Sequence, residues 1–294
     1  MRVTIWGSRG SIPAPGPETL SYGGNTACVS VDGDEGNLLV LDAGTGIRRL
    51  GLSLTSTPRR VDVLLTHLHI DHIIGLGFFA PLRTRGAEVH VWGPASTSLD
   101  LRARLSRYLS PPLFPVHLKE LECDLHLHEV PCTPAPIGEF SIRADLICHP
   151  DPTVGYRIAS REGVLAYLTD HEPALGVRRF PGDPEWTSGY AIAADADLLI
   201  HDAQYGDAEY AARVGWGHSS LRHSVAFAEL ARARELVTFH HDPTHGDAEL
   251  DRRLADTVKE LAPAFTVTPG REGRTFTIPA STSARSLPPH DVIR

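Results

Sequence analysis

Cysteine is scarce and scattered: Cys28, Cys123, Cys132 and Cys148 are the only four in 294 residues, and no two form a Cys-x-x-Cys pair. That excludes a disulfide-dense secreted scaffold and a thiolate zinc finger, and it predicts a reducing, cytoplasmic setting. No apolar run approaches the roughly 20 residues that cross a bilayer, so no membrane partner is expected. Met1-Arg2-Val3-Thr4-Ile5-Trp6 reads as the entry to a strand, not as a signal peptide. Lysine is nearly absent, with Lys119 and Lys259 the only two, so arginine carries almost all the positive charge. The formal net charge is −8, and no Lys or Arg run provides the basic stripe that tracks an extended phosphate backbone. Small substrates are therefore favoured over extended nucleic acid. The oligomeric state is open, a homodimer included.

What is present in quantity is histidine, and its densest stretch is His67-Leu68-His69-Ile70-Asp71-His72. It follows Val61-Asp62-Val63-Leu64-Leu65-Thr66, an apolar, β-branched run that predicts a buried strand. Imidazole and carboxylate suit Zn²⁺, with Mn²⁺ or Fe²⁺ as alternatives, and the lack of thiolate argues against a closed structural zinc site. One metal normally takes three protein ligands and water, so four ligands this close predict two metals.

Two metals need further ligands from other strand ends. Phe140 to Cys148 runs into His149, Val164 to Thr169 into Asp170, and Leu236 to Phe239 into His240. Neighbouring strands that end this way converge on one cleft. The expected division is His67, His69 and His149 on one metal and Asp71, His72 and His240 on the other. Asp170 bridges the two, which lie about 3.5–4 Å apart in two-metal hydrolases.

This set and its order resemble the metallo-β-lactamase superfamily, over residues 1–278. The resemblance implies an α/β fold, a four-layer αβ/βα sandwich with the metals at one edge. His149-Pro150-Asp151-Pro152-Thr153-Val154-Gly155-Tyr156-Arg157-Ile158 is similar to the His-then-Gly-Tyr-Arg signature of the ribonuclease Z-like and cyclic phosphodiesterase branch. Trp6 to Pro13 and Gly23-Gly24-Asn25-Thr26 resemble the N-terminal loops of phosphodiesterase members. In Leu41-Asp42-Ala43-Gly44-Thr45-Gly46 the resemblance makes Asp42 a buttress of the metal loop. His201-Asp202-Ala203-Gln204 stands where that branch has His-Glu-Ala-Thr, and Trp216-Gly217-His218-Ser219-Ser220 where it has a histidine assisting leaving-group departure. Asp202 is then the orienting carboxylate and His218 the general acid; the shorter aspartate arm puts their pairing to the test.

The implied activity is that of a dinuclear metal-dependent phosphodiesterase acting on a small, cyclic phosphodiester. The rival within the branch is tRNA 3′ processing by a ribonuclease Z, and outside it a lactonase or thioesterase. Ribonuclease Z proteins carry a tRNA-clamping arm, often between the third motif and the bridging aspartate; here only twenty residues separate His149 from Asp170. Arg157 and Arg9 are candidate phosphate contacts, with a structural role weighed more heavily for Arg157. Hydrophobic residues make up 41% of the chain, enough for a sizeable core. Helices are predicted from Ile73 to Arg83, Ser98 to Leu109 and Arg222 to Glu235. Ser110-Pro111-Pro112-Leu113-Phe114-Pro115-Val116 is either a cleft-side lid carrying Leu113 and Phe114 or a rigid connector. His126, His128 and His201 are expected away from the metals, and His241 is second choice to His240. Residues 279–294, rich in Ser, Pro and Thr, read as a mobile tail.

Overall fold

The computed structural model describes residues 1–279 apart from 34–35, 57, 132 and 178–179; the tail expected over 279–294 lies, but for its first residue, outside the described residues. Strands alternate in a way that builds a core on both faces. In Leu38–Leu41 (β3) every residue is buried, Leu39 and Leu41 towards one hydrophobic cluster and Leu38 and Val40 towards another. In Val164–Leu168 (β10) every residue after Val164 is buried, Leu165 and Tyr167 on one side and Ala166 and Leu168 on the other. A side-chain period of two thus places one shared cluster between two sheets and one further cluster outside each.

The first sheet runs in the order β14-β1-β2-β3-β4-β5-β6, built from Arg2–Gly7 (β1), Cys28–Asp32 (β2), β3, Arg60–Leu64 (β4), Glu88–Gly93 (β5), Asp124–Glu129 (β6) and Thr275–Thr277 (β14). The second runs β13-β12-β11-β10-β9-β8-β7, from Ala135–Ile137 (β7), Phe140–Leu146 (β8), Val154–Ala159 (β9), β10, Leu198–Asp202 (β11), Glu235–Phe239 (β12) and Thr266–Pro269 (β13). Each has an antiparallel half and a parallel half, β3 to β6 in the first and β10 to β13 in the second. Helices Gly46–Ser53 (α1), Ile70–Ile73 (α2) and Leu101–Ser106 (α3) belong with the first sheet, while Tyr190–Ala193 (α4), Asp207–Ala211 (α5), Leu221–Leu230 (α6) and Asp247–Leu261 (α7) belong with the second. This is the expected four-layer αβ/βα sandwich. Among the described residues no helix is long and apolar enough to cross a membrane.

The helices are shorter than their hydrophobic patterns predict. Residues 73–83 form no continuous helix; α2 gives way to 3₁₀ turns at Leu76–Phe78 and Ala80–Arg83. Gly75 packs directly on the Gly44 carbonyl, leaving no room for a side chain, and Pro81 cannot continue an α-helical ladder. The 98–109 helix shrinks to α3, whose start is set by the Asp100 side chain accepting from the Ala103 amide at 2.7 Å. The 222–235 helix ends at Leu230 because Arg232 adopts φ 54° and β12 must begin at Glu235. In the proline-rich segment, Phe114 is buried against Phe78 and Tyr108, while Leu113 is 71% exposed. Phe114 therefore belongs to the core, and the connector reading replaces the lid.

Candidate metal centre

The carboxyl ends of the parallel strands β3, β4, β10, β11 and β12 open on one cleft, the usual ligand position in sheets of this kind. Three of these strands end in a left-handed residue that is not glycine: Asp42 after β3 (φ 59°), Asp170 beyond β10 (φ 51°) and His240 after β12 (φ 58°). Such a residue turns the chain at once instead of continuing the strand's alternation. Each costs roughly 1–2 kcal/mol for an L-amino acid, and such strain concentrates at functional sites.

The seven residues expected as ligands come together as two groups that share one carboxylate. His67, His69, His149 and Asp170 form one, and Asp71, His72, His240 and Asp170 the other, with the donor atoms of each group within 4.8 Å of one another. Asp170 divides its oxygens between them. Oδ1 lies 3.6 Å from His67 Nε2 and 3.8 Å from His149 Nε2, and Oδ2 lies 3.0 Å from His72 Nε2 and 3.2 Å from His240 Nε2. Asp71 Oδ2 closes the second group at 3.4 Å from His72 Nε2 and 3.3 Å from His240 Nε2.

Four of the imidazoles are oriented alike. Nδ1 of His67 meets Thr66 Oγ1 at 3.1 Å, of His72 Asp42 Oδ2 at 2.9 Å, of His149 Thr153 Oγ1 at 3.0 Å, and of His240 Gln204 Oε1 at 3.3 Å. Their Nε2 atoms face inward, and that of His67 is buried with no hydrogen-bond partner. Outer hydrogen bonds on one ring nitrogen with the other turned to a common centre are the arrangement of metal-binding histidines. The donor chemistry and the orphaned His67 nitrogen fit two divalent ions.

The electrostatics agree. Burial holds His67 well below the ordinary imidazole range and His149 down at about 4, so both are neutral donors. Burial also opposes charge on Asp170, yet neighbouring His240 and His72 hold it well below the carboxylate range. Conversely, burial disfavours a charged His240, but Asp170 and the Asp71 hydrogen bond raise it to about 9, and His72 is raised by Asp170, Asp71 and Asp42. The carboxylates thus demand positive charge at the point where the nitrogens converge.

Asp42 is fully buried and is hydrogen-bonded to both Thr66 and His72, at the two ends of the loop that carries the candidate ligands. Its Oδ1 accepts from the Thr66 amide at 2.8 Å, and its Oδ2 from the Tyr167 hydroxyl at 2.9 Å. The shorter arm of Asp202 reaches its partner: Oδ2 lies 2.8 Å from His218 Nδ1, while Oδ1 accepts from the Ser219 and Gln204 amides. The His218 ring stacks on His240 at 4.9 Å and meets His149 at 5.4 Å.

Other residues fall elsewhere. Arg9, a candidate phosphate contact, is fully buried and donates to the carbonyls of Gly23, Asp242 and His245, so it is structural. Arg157 donates to the Ile192 and Ala194 carbonyls. In the same Gly-Tyr-Arg signature, Tyr156 donates to the Leu65 carbonyl at 2.6 Å, pinning β9 to the end of β4. His201 faces away towards Ser224 and His171, and His241 meets the Gly270 carbonyl. His126 and His128 stack beside His90 and Trp92 on the outer strands. Residues not anticipated at the site include Ser11, whose amide donates to Asp71 Oδ2 at 2.7 Å, and Gln204, which links His240 to Ser11. The paired Leu-Thr-His and Leu-Thr-Asp segments were the available signal for Thr66 and Thr169, and the latter donates to Asp170 at 2.7 Å.

Two mixed sheets between helical layers, with a histidine- and aspartate-lined cleft at one edge, define a hydrolase of the metallo-β-lactamase fold. A profile described as the Beta-lactamase superfamily domain matches residues 37–241, and the chain belongs to that superfamily as a metal-dependent hydrolase. Ribonuclease Z of Gemmatimonas aurantiaca is 26% identical over 266 residues, covering 79% of this chain and 83% of that protein. Ribonuclease Z of Thermoplasma acidophilum is 26% identical over 305 residues, covering 90% and 93%. Among solved structures, the metallo-beta-lactamase fold protein YhfI from Bacillus subtilis superposes with a TM-score of 0.69 at 18% identity, covering 94% of this chain and 99% of that one. A diphosphatase from the PhnP family gives 0.66 at 22%, covering 94% and 97%. The short form of human tRNase Z gives 0.63 at 22%, covering 95% and 100%.

Proposed function

We propose that the protein is a dinuclear phosphodiesterase of the cytosol that hydrolyses a small, cyclic phosphodiester. The observation that carries this reading is the division of Asp170, one oxygen towards His67 and His149 and the other towards His72 and His240. His67, His69 and His149 would hold one metal, Asp71, His72 and His240 the other, with Asp170 between them and Zn²⁺ favoured over Mn²⁺ or Fe²⁺. When bound, such a pair neutralises charge on phosphoryl oxygens and makes water a nucleophile at neutral pH.

The chain's own residues supply the rest. Asp202 takes the Nδ1–H of His218 and is itself fixed by two backbone amides, which leaves His218 Nε2 to give a proton to the departing oxygen. Acid catalysis of this kind is worth roughly 10²–10⁴-fold. The small-substrate reading is supported by the twenty residues between His149 and Asp170. Apart from Thr169, they are used up by the 150–153 turn, whose Thr153 carbonyl accepts from the Ile147 amide, β9, a turn closed by Ser160 and Gly163, and β10. The free thiols of Cys28, Cys123 and Cys148 support a reducing compartment.

A second reading, tRNA 3′ processing, is favoured by the relatives named ribonuclease Z. The two separate in a comparison of kcat/KM on 2′,3′- and 3′,5′-cyclic nucleotides with that on a 3′-extended tRNA, using enzyme loaded with Zn²⁺ or Mn²⁺. A small cyclic phosphodiester should be the better substrate. A wide margin for the tRNA would replace this reading with the second.

A further inference from the structure

Beside the metal cleft lies a buried carboxylate that the chemistry above does not use. Glu172 is 1% exposed and sits two residues past Asp170. Its Oε1 accepts from the Tyr210 hydroxyl at 2.7 Å, and its Oε2 accepts from the Gly215 amide at 3.0 Å and the Gly217 amide at 3.1 Å. The amide donors belong to the loop that leads directly into His218. Gly215 and Gly217 have φ 86° and 85°, values that favour glycine, and this backbone brings two amides onto one anion. Anion-binding concavities of this kind usually hold a ligand; here the chain fills its own.

The location links this contact to the site. A side chain at Gly217 would run into the His149 ring and Pro150, so the loop lies directly against a residue of the first donor group. The Glu172 amide donates to the Cys148 carbonyl at 3.0 Å, tying the carboxylate's own backbone to the residue before His149. Glu172 thus holds the acid's loop to the segments that carry His149 and Asp170. Asp202 orients the His218 ring from the other side, through Nδ1. One carboxylate governs the ring's rotation and tautomer, and the other governs where its loop stands.

We infer that Glu172 is a positioning residue for proton transfer: by clamping the Gly215 and Gly217 amides, it fixes the distance from the His218 imidazole to the leaving group. The inference rests on His218 acting as the acid. A misplacement of about 1 Å costs on the order of 10²-fold in a step that depends on orientation. The loss should fall on reactions whose leaving group needs a proton.

The test uses metal-loaded, full-length enzyme and two substrates of similar shape, bis(p-nitrophenyl) phosphate and diphenyl phosphate. The first leaving group departs with little protonation; the second needs more. Expected for Glu172→Ala, which leaves the Gly215 and Gly217 amides without an acceptor, are unchanged metal content, a nearly unchanged rate on the nitrophenyl ester, and a fall of roughly 10–100-fold in kcat on diphenyl phosphate with KM preserved. Tyr210→Phe removes a hydrogen bond but keeps the carboxylate, and should give a smaller loss of the same pattern. It decides the matter if Glu172→Ala does not fold. A His218→Ala, Glu172→Ala double variant should be no slower on diphenyl phosphate than His218→Ala alone, since both act on one step. Equal losses on both substrates, or multiplied losses in the double variant, overturn the inference. If His218→Ala discriminates between the esters and the Glu172 and Tyr210 variants do not, only the positioning role falls. If His218→Ala itself treats both esters alike, the acid assignment falls and takes this inference with it.

Discussion

Asp42→Asn should separate the two proposed metal sites while changing almost no volume. In the native site Asp42 Oδ1 accepts from the Thr66 amide at 2.8 Å, while Oδ2 lies 2.9 Å from both the Tyr167 hydroxyl and His72 Nδ1. An asparagine can keep the Thr66 contacts through its carbonyl, which turns its NH₂ towards Tyr167 and His72. The tyrosine hydroxyl can reverse and accept. His72 Nδ1 can accept only if the ring carries its proton on Nε2, the atom that faces Asp170 and Asp71. A nitrogen bearing that proton is no metal donor. Loss of such an outer partner typically weakens metal affinity 10–100-fold, about 1.4–2.7 kcal/mol. The Asp71, His72 and His240 group should therefore weaken by at least that factor, while the His67, His69 and His149 group holds its ion within a few-fold. Metal content after equilibration against a graded chelator reads this directly, and a thermal melt of the metal-free variant shows that the fold survives. Two equivalents held at native affinity would refute the tautomer reasoning.

Asp170→Ala should remove most of both metals together with activity, because the carboxylate serves both groups; elemental analysis and turnover check it. Gly10→Ala should lower metal content at the His240 group, since a side chain there would meet the His240 ring; metal titration of the variant is the measurement. Phe114→Ala should cost about 3–5 kcal/mol in denaturant unfolding and leave KM unchanged, as expected of a core residue and not of a lid. Glu209 is held down at about 2, first by its Arg253 hydrogen bonds, from an ordinary 4.5. The stability it contributes is fully present above pH 4.5 and lost as pH falls through about 2, so the melting-temperature gap between native protein and Glu209→Gln should close across that window.

Much of the site was legible because its donors sit at strand ends, where period-two apolar runs stop and a polar residue begins. Val164 to Thr169 followed by Asp170 announces both the strand and the turn. The layer order was legible for the same reason: β3 and β10 are apolar on both faces, which only strands covered on both sides can be. Helix lengths were not. The 73–83 segment has helical spacing, but the approach of Gly75 to the Gly44 carbonyl is a tertiary contact that no local pattern encodes. An arginine in a glycine-rich loop looks available for phosphate, whereas the Arg9 side chain is fully buried and donates through Nε and Nη1 to the carbonyls of Gly23, Asp242 and His245. Glu172 escaped notice for a similar reason: its donors lie more than thirty residues away in the chain.

The donor groups are split across the molecule. His67, His69, Asp71 and His72 hang from the end of β4 in the first sheet, while His149, Asp170 and His240 hang from the second. A cation held by either group would therefore rivet one sheet to the other at their shared rim. In a chain with four cysteines, none of the described ones paired, that is the cross-link a disulfide would otherwise provide. Unlike a disulfide it is reversible and set by supply, adding RT ln(1 + [M]/Kd), about 2.7 kcal/mol at a hundredfold excess over Kd. Metal scarcity would then loosen the seam between the halves as well as silence the cleft, making the enzyme's lifetime as sensitive to metal supply as its turnover.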